Sequence, residues 1–171
     1  MLSCLPCYDK LLVRHLIEQW HSTHGSRPIW KQAFVLKHGV SIIGVSVWGM
    51  PTARLEDRSG ATWEHYRMAL SPQTPHDGAS WFMARNRDWI RDNEPQVVRL
   101  IAYVDEEIHR GITYISDNWS VVYRGRRNGN WIRAARPDRS PKELGSATKF
   151  ERIIHRPKPG RARPGPLNVA W

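Results

Sequence analysis

Apolar residues recur at helical intervals in two stretches of the chain and at strand intervals in five, and this alternation gives the first outline of a fold. From Tyr8 to Trp20, Leu11, Leu12, Leu16 and Trp20 follow a 3.6-residue repeat, with Asp9 placed to cap its start. From Ala79 to Asn93, Trp81, Phe82, Ala84, Arg85, Trp89 and Ile90 recur in the same way, and Asn93 and Pro95 end the pattern. Ala33 to Lys37 and Val40 to Trp48 read as strands joined at His38-Gly39, Thr62 to Leu70 as a third, Val97 to Val104 as a buried central strand and Trp119 to Tyr123 as another. Trp131 to Ala135 could pair with the last of these across Gly125 to Gly129. Asp105 to Ile115 reads as a short helix or turn. The strand, loop, helix and strand in the middle form a βαβ unit, so the expected class is α+β with α/β character: a mixed central sheet flanked by helices.

From Pro137 on the periodicity fades. Six prolines and scattered basic residues fill the stretch, with a short element expected over Ala147 to His155 and an extended basic arm from Pro157 to Pro166. The expected organisation is a flexible N-terminus at 1–7, a catalytic domain at 8–136 and a basic, Pro-rich extension at 137–171. Truncation after Arg136 should then leave the catalytic domain intact.

Charge sharpens this division. The net charge is +10, yet residues 1–123 hold 13 Lys and Arg against 13 Asp and Glu, and the remainder holds 13 against 3. A neutral domain with a cationic end is the pattern of a protein that docks on a polyanion, nucleic acid above all. Nine tryptophans argue against disorder of the whole chain. No apolar run approaches the ~20 residues of a membrane helix, and no basic flank precedes a long apolar segment at the start, so a cytoplasmic protein is expected.

Four groups of residues carry candidate chemistry. The first is the loop Thr74 to Ser80 leading into the second helix, where small residues and a helix start could present amides to a phosphate; Gly78 and Ala79 admit it and Ser80 caps the helix or reaches it. Arg67 stands alone as a charge in the second half of its strand and could grip a phosphate. If Tyr66 and Met68 point inward, Arg67 faces the other way. Asp105, at the carboxyl end of the central strand, is followed by His109, Arg110 and Tyr114. His21 and His24 follow the first helix and suit a metal or acid–base role; with Cys4 and Cys7 they also offer a zinc-finger-like spacing. Arg124, Arg126, Arg127 and Arg133 on the expected hairpin could straddle a nucleic-acid groove, and Arg152, Arg156, Lys158, Arg161 and Arg163 could form an arm.

Taken in order, Trp20-His21, Trp48-Gly49, Glu64-His65-Tyr66-Arg67, the Thr74 to Ser80 loop, Tyr103-Val104-Asp105, His109 to Tyr114 and Asp117-Asn118-Trp119 resemble the Mom family, a phage branch of the GNAT fold. The resemblance covers roughly residues 8–136. It implies modification of the exocyclic amine of adenine in double-stranded DNA as a carbamoylmethyl adduct, which protects DNA from restriction in an infected or lysogenic bacterial host. It also implies acetyl-CoA and iron as cofactors. Matched by motif, Arg67, Thr74, Gly78, Ala79 and Ser80 would hold the cofactor, and His21, Asp105 and Tyr114 would line the reactive centre, His21 and Asp105 as metal ligands. Ser22 and Asp77 depart from the family pattern, where Tyr and Asn are usual. Trp30, Trp48, Trp63 and Trp119 are candidate platforms for a flipped base. By analogy with GNAT proteins the chain could form a homodimer through a sheet edge. Two other readings stay open: an N-acetyltransferase acting on a protein or small amine, and a non-catalytic nucleic-acid-binding protein.

Overall fold

The computed structural model describes residues 1–21, 29–53, 55–106, 108–126 and 146–154. The elements run β1(Leu2–Cys7), α1(Lys10–Trp20), β2(Gln32–His38), β3(Ser41–Gly49), β4(Thr62–Leu70), α2(Gly78–Asn93), β5(Arg99–Asp105), α3(Ile112–Ser116), β6(Ser120–Arg126) and β7(Ser146–Ile153). The seven strands form one mixed sheet in the order β1-β2-β3-β4-β5-β7-β6, with β4 and β5 parallel and every other neighbouring pair antiparallel.

Helix α1 starts as its sequence dictates. The Asp9 carboxylate accepts from the Leu11 and Leu12 amides, both at 3.0 Å. Its inward stripe is Val13, Leu16 and Ile17, which leaves Leu11 in solvent. That stripe packs with Ala33, Val35, Val45, Val47 and Ala69 on one face of the sheet. On the other face α2 presents Phe82, Met83 and Ile90 to Phe34, Trp48, Trp63, Leu100, Ala102 and Val104. Burial of these apolar side chains is the main stabilising term for both layers.

Two expectations about the ends of the domain are corrected, and a third falls outside the described residues. Residues 2–7 are not a flexible N-terminus; they form β1, whose six residues pair with β2 from Leu2↔His38 to Cys7↔Ala33. Because side chains alternate along a strand, Cys4 packs towards the α2 side and Cys7 towards the α1 side, so the two thiols do not form half of a zinc site. The basic extension is not outside the domain either. Its residues 146–153 form β7, inserted between β5 and β6, and Phe150 is 2% exposed in the core. Finally, β6 pairs with β7 from Ser120↔Glu151 to Arg126↔Ser146; the hairpin partner expected at 131–135 lies outside the described residues, as do Arg127 and Arg133.

Candidate active site

Two irregularities open the middle of the sheet. The parallel pairing of β4 with β5 lasts only from Thr62↔Arg99 to His65↔Ala102, although β4 continues to Leu70 and β5 to Asp105. Beyond His65 the strands diverge: β4 stays with β3, and β5 pairs on its other side with β7. At the point of divergence β4 carries a bulge. Val47 faces Arg67 and Trp48 faces His65, so Tyr66 is an extra residue without an opposite number on β3.

The bulge re-aims the strand. Trp63 and Met68 both pack on the α2 side, and Tyr66 packs with Ala69 on the α1 side, so Tyr66 and Met68 do not share a face. The Tyr66 hydroxyl donates to the Met50 carbonyl, and its ring lies over Gly49, where a Cβ would come within 2.5 Å of the ring. Glycine at 49 is what admits the bulged tyrosine. Two residues before Ala69, Arg67 lies on the α1 face, where its guanidinium donates to the Tyr66 carbonyl at 3.2 Å.

Tyr114 closes the wedge from the α2 side. Its helix, α3, is only five residues long and starts from Gly111 in the left-handed region, φ 67°. The ring of Tyr114 stacks on Phe150 at 5.1 Å and meets Trp119 edge-on at 5.1 Å. Its hydroxyl lies 2.7 Å from His65 Nδ1. Burial, and secondarily the charge of Glu64, push the Tyr114 phenol up from its ordinary value, with Arg67 opposing, so the hydroxyl keeps its proton at neutral pH. Burial also drives His65 down to about 3; the Arg67 carbonyl opposes this, while the charges of His21 and Arg67 add to it. His65 is therefore a neutral imidazole, and the charge of Arg67 acts on both His65 and Tyr114.

Gly111 is a point of failure for this arrangement. A Cβ there would lie 2.5 Å from Phe150 Cζ on a backbone that already disfavours side chains. Gly111→Ala is expected to destabilise the fold by about 2–4 kcal/mol, measured by denaturant unfolding.

The other expected site residues are placed as follows. His21 caps the C-terminal end of α1, its amide donating to the Ile17 carbonyl at 2.9 Å, on the α1 face. Asp105 ends β5, two residues beyond Tyr103 on the face opposite Val104. Its carbonyl accepts from Ile108 and His109, at 3.2 and 2.9 Å, in a turn that precedes α3 rather than in the first turn of a helix. Asp105 and Tyr114 thus approach the end of β5 from opposite faces of the sheet. Among the described residues no three His, Cys, Asp or Glu side chains converge as a metal cluster, so no chemical step is assigned to iron. His24 lies outside them.

The loop from β4 to α2 is anchored rather than open. The Thr74 hydroxyl donates to the Ile43 carbonyl at 2.9 Å, and the Ser71 amide donates to the same oxygen. A Cβ on Gly78 would sit 2.5 Å from the Thr74 methyl. Thr74 and Gly78 therefore shape the loop. The Ser80 hydroxyl donates to the Asp77 carbonyl, and the Asp77 side chain makes no capping bond to the helix. In the first turn of α2 the Gly78 amide donates to the Pro75 carbonyl at 2.8 Å and the Trp81 amide to the Asp77 carbonyl at 3.0 Å, and the Ala79 and Ser80 amides between them stand at the helix start with its positive dipole end.

Several participants were not given their site role from sequence. Glu64 is buried and accepts from the Thr52 amide and hydroxyl. Ser46, Trp48 and His65 form a buried chain of hydrogen bonds behind Tyr114. The only hint was alternation: small or polar residues at inward positions of strands. Trp48, Trp63 and Trp119 are core residues at 0%, 3% and 5% exposure and are not base platforms; Trp30 alone of the four candidates is partly exposed. Asp117 is structural, holding the Trp119 indole at 2.9 Å and Arg87 at 3.1 Å, which ties α3 to α2. Arg124 is exposed on the edge strand, 3.8 Å from Glu106.

Comparison with known proteins places this geometry. A family model described as the Mom protein family matches residues 8–151. The structure is similar to the ribosomal-protein-S18-alanine N-acetyltransferase of Escherichia coli, with TM-score 0.61 and 11% identity over 95% of this chain and 100% of that one. It is similar to a putative acetyltransferase from Salmonella typhimurium determined with its cofactor acetyl-CoA, with TM-score 0.63 and 11% identity over 90% and 94%. A GNAT-family acetyltransferase from Streptococcus pneumoniae gives TM-score 0.63 and 10% identity over 91% and 100%. No curated protein matches in sequence. The architecture is the GNAT fold.

Proposed function

The chain belongs to the Mom protein family, and on that premise we propose that it is an acetyl-CoA-dependent transferase that modifies the N6 amine of adenine in double-stranded DNA. The observation that carries the reading is the wedge between β4 and β5, with Tyr114 beneath it and the start of α2 beside it. Acetyl-CoA, when bound, supplies an activated acyl carbon. The residues present fit it. The Ala79 and Ser80 amides and the α2 dipole suit a diphosphate. Arg67 adds a cation on the same stretch of β4. Beyond His65, β4 no longer runs beside β5, an edge along which an extended pantetheine arm can lie as an added strand. Tyr114, protonated at neutral pH, can donate a hydrogen bond to the reacting group.

Adenine N6 is a weak nucleophile held in a base pair, so the base must leave the stack, at a few kcal/mol. His21 and Asp105, on the face that α1 covers, are the residues assigned to receive it, with partly exposed Trp30 as its stacking surface. The cationic end supplies the phosphate contacts, Arg124 and Arg126 from β6 with Arg127 and Arg133 beyond it. Deleting residues 155–171 removes Arg156, Lys158, Arg161 and Arg163 but spares β7. The slope of log K for DNA against log salt should fall by about 0.9 for each of these cations that meets a phosphate, with acetyl-CoA affinity unchanged. Equal slopes would remove the arm from the account.

The reading is tested by mass analysis of nucleosides from cells expressing the chain. A new deoxyadenosine adduct supports it, and the adduct's mass separates a carbamoylmethyl from an acetyl group. The resemblance of the fold to an alanine N-acetyltransferase supports a second reading, acyl transfer to a protein amine. That reading gives acetyl-CoA binding with unaltered deoxyadenosine.

A further inference from the structure

The hydroxyl of Tyr114 ends a chain of side-chain hydrogen bonds that runs into the core. Its oxygen is 2.7 Å from His65 Nδ1, His65 Nε2 is 3.1 Å from Ser46 Oγ, and Trp48 Nε1 donates to Ser46 Oγ at 3.0 Å. Ser46 and Trp48 are fully buried and His65 is nearly so.

The chain has a direction because the buried Ser46 proton needs an acceptor. An indole N–H has no acceptor capacity, so Trp48 occupies a lone pair of the Ser46 oxygen. The single Ser46 proton then needs an acceptor, and His65 Nε2 is the one within reach. If Nε2 carried the hydrogen instead, Ser46 would accept twice and its own buried O–H would be left unsatisfied, a cost of about 1–3 kcal/mol. With Nε2 accepting, a neutral imidazole carries its hydrogen on Nδ1, where the Tyr114 oxygen at 2.7 Å accepts it, the Arg67 carbonyl being a second acceptor for the ring N–H. The Tyr114 proton is then the last of the chain, with no acceptor behind it.

We infer that Ser46 and His65, with Trp48 holding the Ser46 oxygen in place, are positioning residues which fix this polarity and so hold Tyr114 as a hydrogen-bond donor directed into the wedge. The inference rests on the proposed function only in giving Tyr114 a reacting group to serve; the polarity itself needs no substrate. The same three residues also explain why a histidine is placed where it cannot ionise. Its use is the separate donor and acceptor nitrogens of a neutral ring, which set a direction that a symmetric or purely apolar neighbour would not.

The test is long-range ¹H–¹⁵N correlation of the histidine side chains in the full chain near neutral pH, with His65→Gln to assign the signal. The expected state is neutral His65 with its hydrogen on Nδ1. Ser46→Ala, a near-isosteric change that removes the hydroxyl whose proton needs Nε2, should move the population towards the Nε2–H tautomer. Trp48→Phe leaves that hydroxyl in place and should keep the Nδ1–H tautomer dominant. The Ser46 variant should lower kcat by about tenfold or more with the KM for acetyl-CoA within about twofold, and should not lower it further in a Tyr114→Phe background. A wild-type His65 carrying its hydrogen on Nε2 overturns the inference, as does a tautomer indifferent to Ser46→Ala. Because the tautomer is read without substrate, an Nδ1–H state in a chain that leaves DNA unaltered would sink the proposed function alone.

Discussion

Replacing Tyr114 by Phe should reduce the yield of modified deoxyadenosine by about 10²–10⁴-fold while leaving the protein folded. The fold tolerates the change because the ring is what packs: it stacks on Phe150 and meets Trp119, and both contacts survive. What is lost is one hydroxyl, bonded to His65 and kept protonated by burial beside Glu64. Removing the oxygen that His65 meets inside the core should cost about 1–3 kcal/mol of stability, less than its effect on rate. The comparison is made by nucleoside mass analysis with denaturant unfolding of both proteins. A variant that modifies DNA as well as the wild type would take Tyr114 out of the chemistry.

The second large effect concerns the cationic end. Truncation after Arg136, which the sequence alone suggests is harmless to the domain, should abolish folding. It removes β7, so that β5 loses its partner along all seven residues and β6 loses the neighbour it has among the described strands. It also removes Phe150 from the stack under Tyr114, and with Thr148 and Ile154 uncovers the core. Losing two strand ladders and a fully buried aromatic exceeds what a domain stable by about 5–15 kcal/mol can bear. Circular dichroism and a thermal melt should show no cooperative transition, whereas truncation after Ile154 should retain one. A cooperative melt from the shorter chain would contradict the insertion of β7.

The contrast shows which features local pattern carries. Helices α1 and α2, the strands from Ala33 to Leu70 and the central β5 announce themselves through periodicity and caps such as Asp9, because each buries one face of a regular element. β1 and β7 do not. In Leu2–Cys7 the apolar residues are short, broken by Pro6 and half-buried on both faces; in Ser146–Ile153 polar residues alternate into ion pairs, Lys149 with Glu56 and Glu151 with Arg99. Both become strands because a neighbour already offers an edge, a tertiary cause invisible to a local window. The site divides in the same way. Tyr114 and the Ala79-Ser80 helix start could be named from motif, whereas the bulge at Tyr66 and the Trp48–Ser46–His65 chain depend on register between strands. The assignment of Trp48, Trp63 and Trp119 to a base platform failed because large aromatics are also what a two-layer core needs.

The wedge as an acyl-CoA site is tested most directly by titrating acetyl-CoA into the wild-type chain and into Ser80→Glu. A carboxylate in the first turn of α2, where no acidic residue now stands, should raise stability by about 0.3–1 kcal/mol through the helix dipole. The same charge would face the diphosphate, so acetyl-CoA affinity should fall by about tenfold or more even as the melting temperature rises. Affinity that is unchanged or improved in the variant, or a wild-type chain that does not bind acetyl-CoA, would contradict the account.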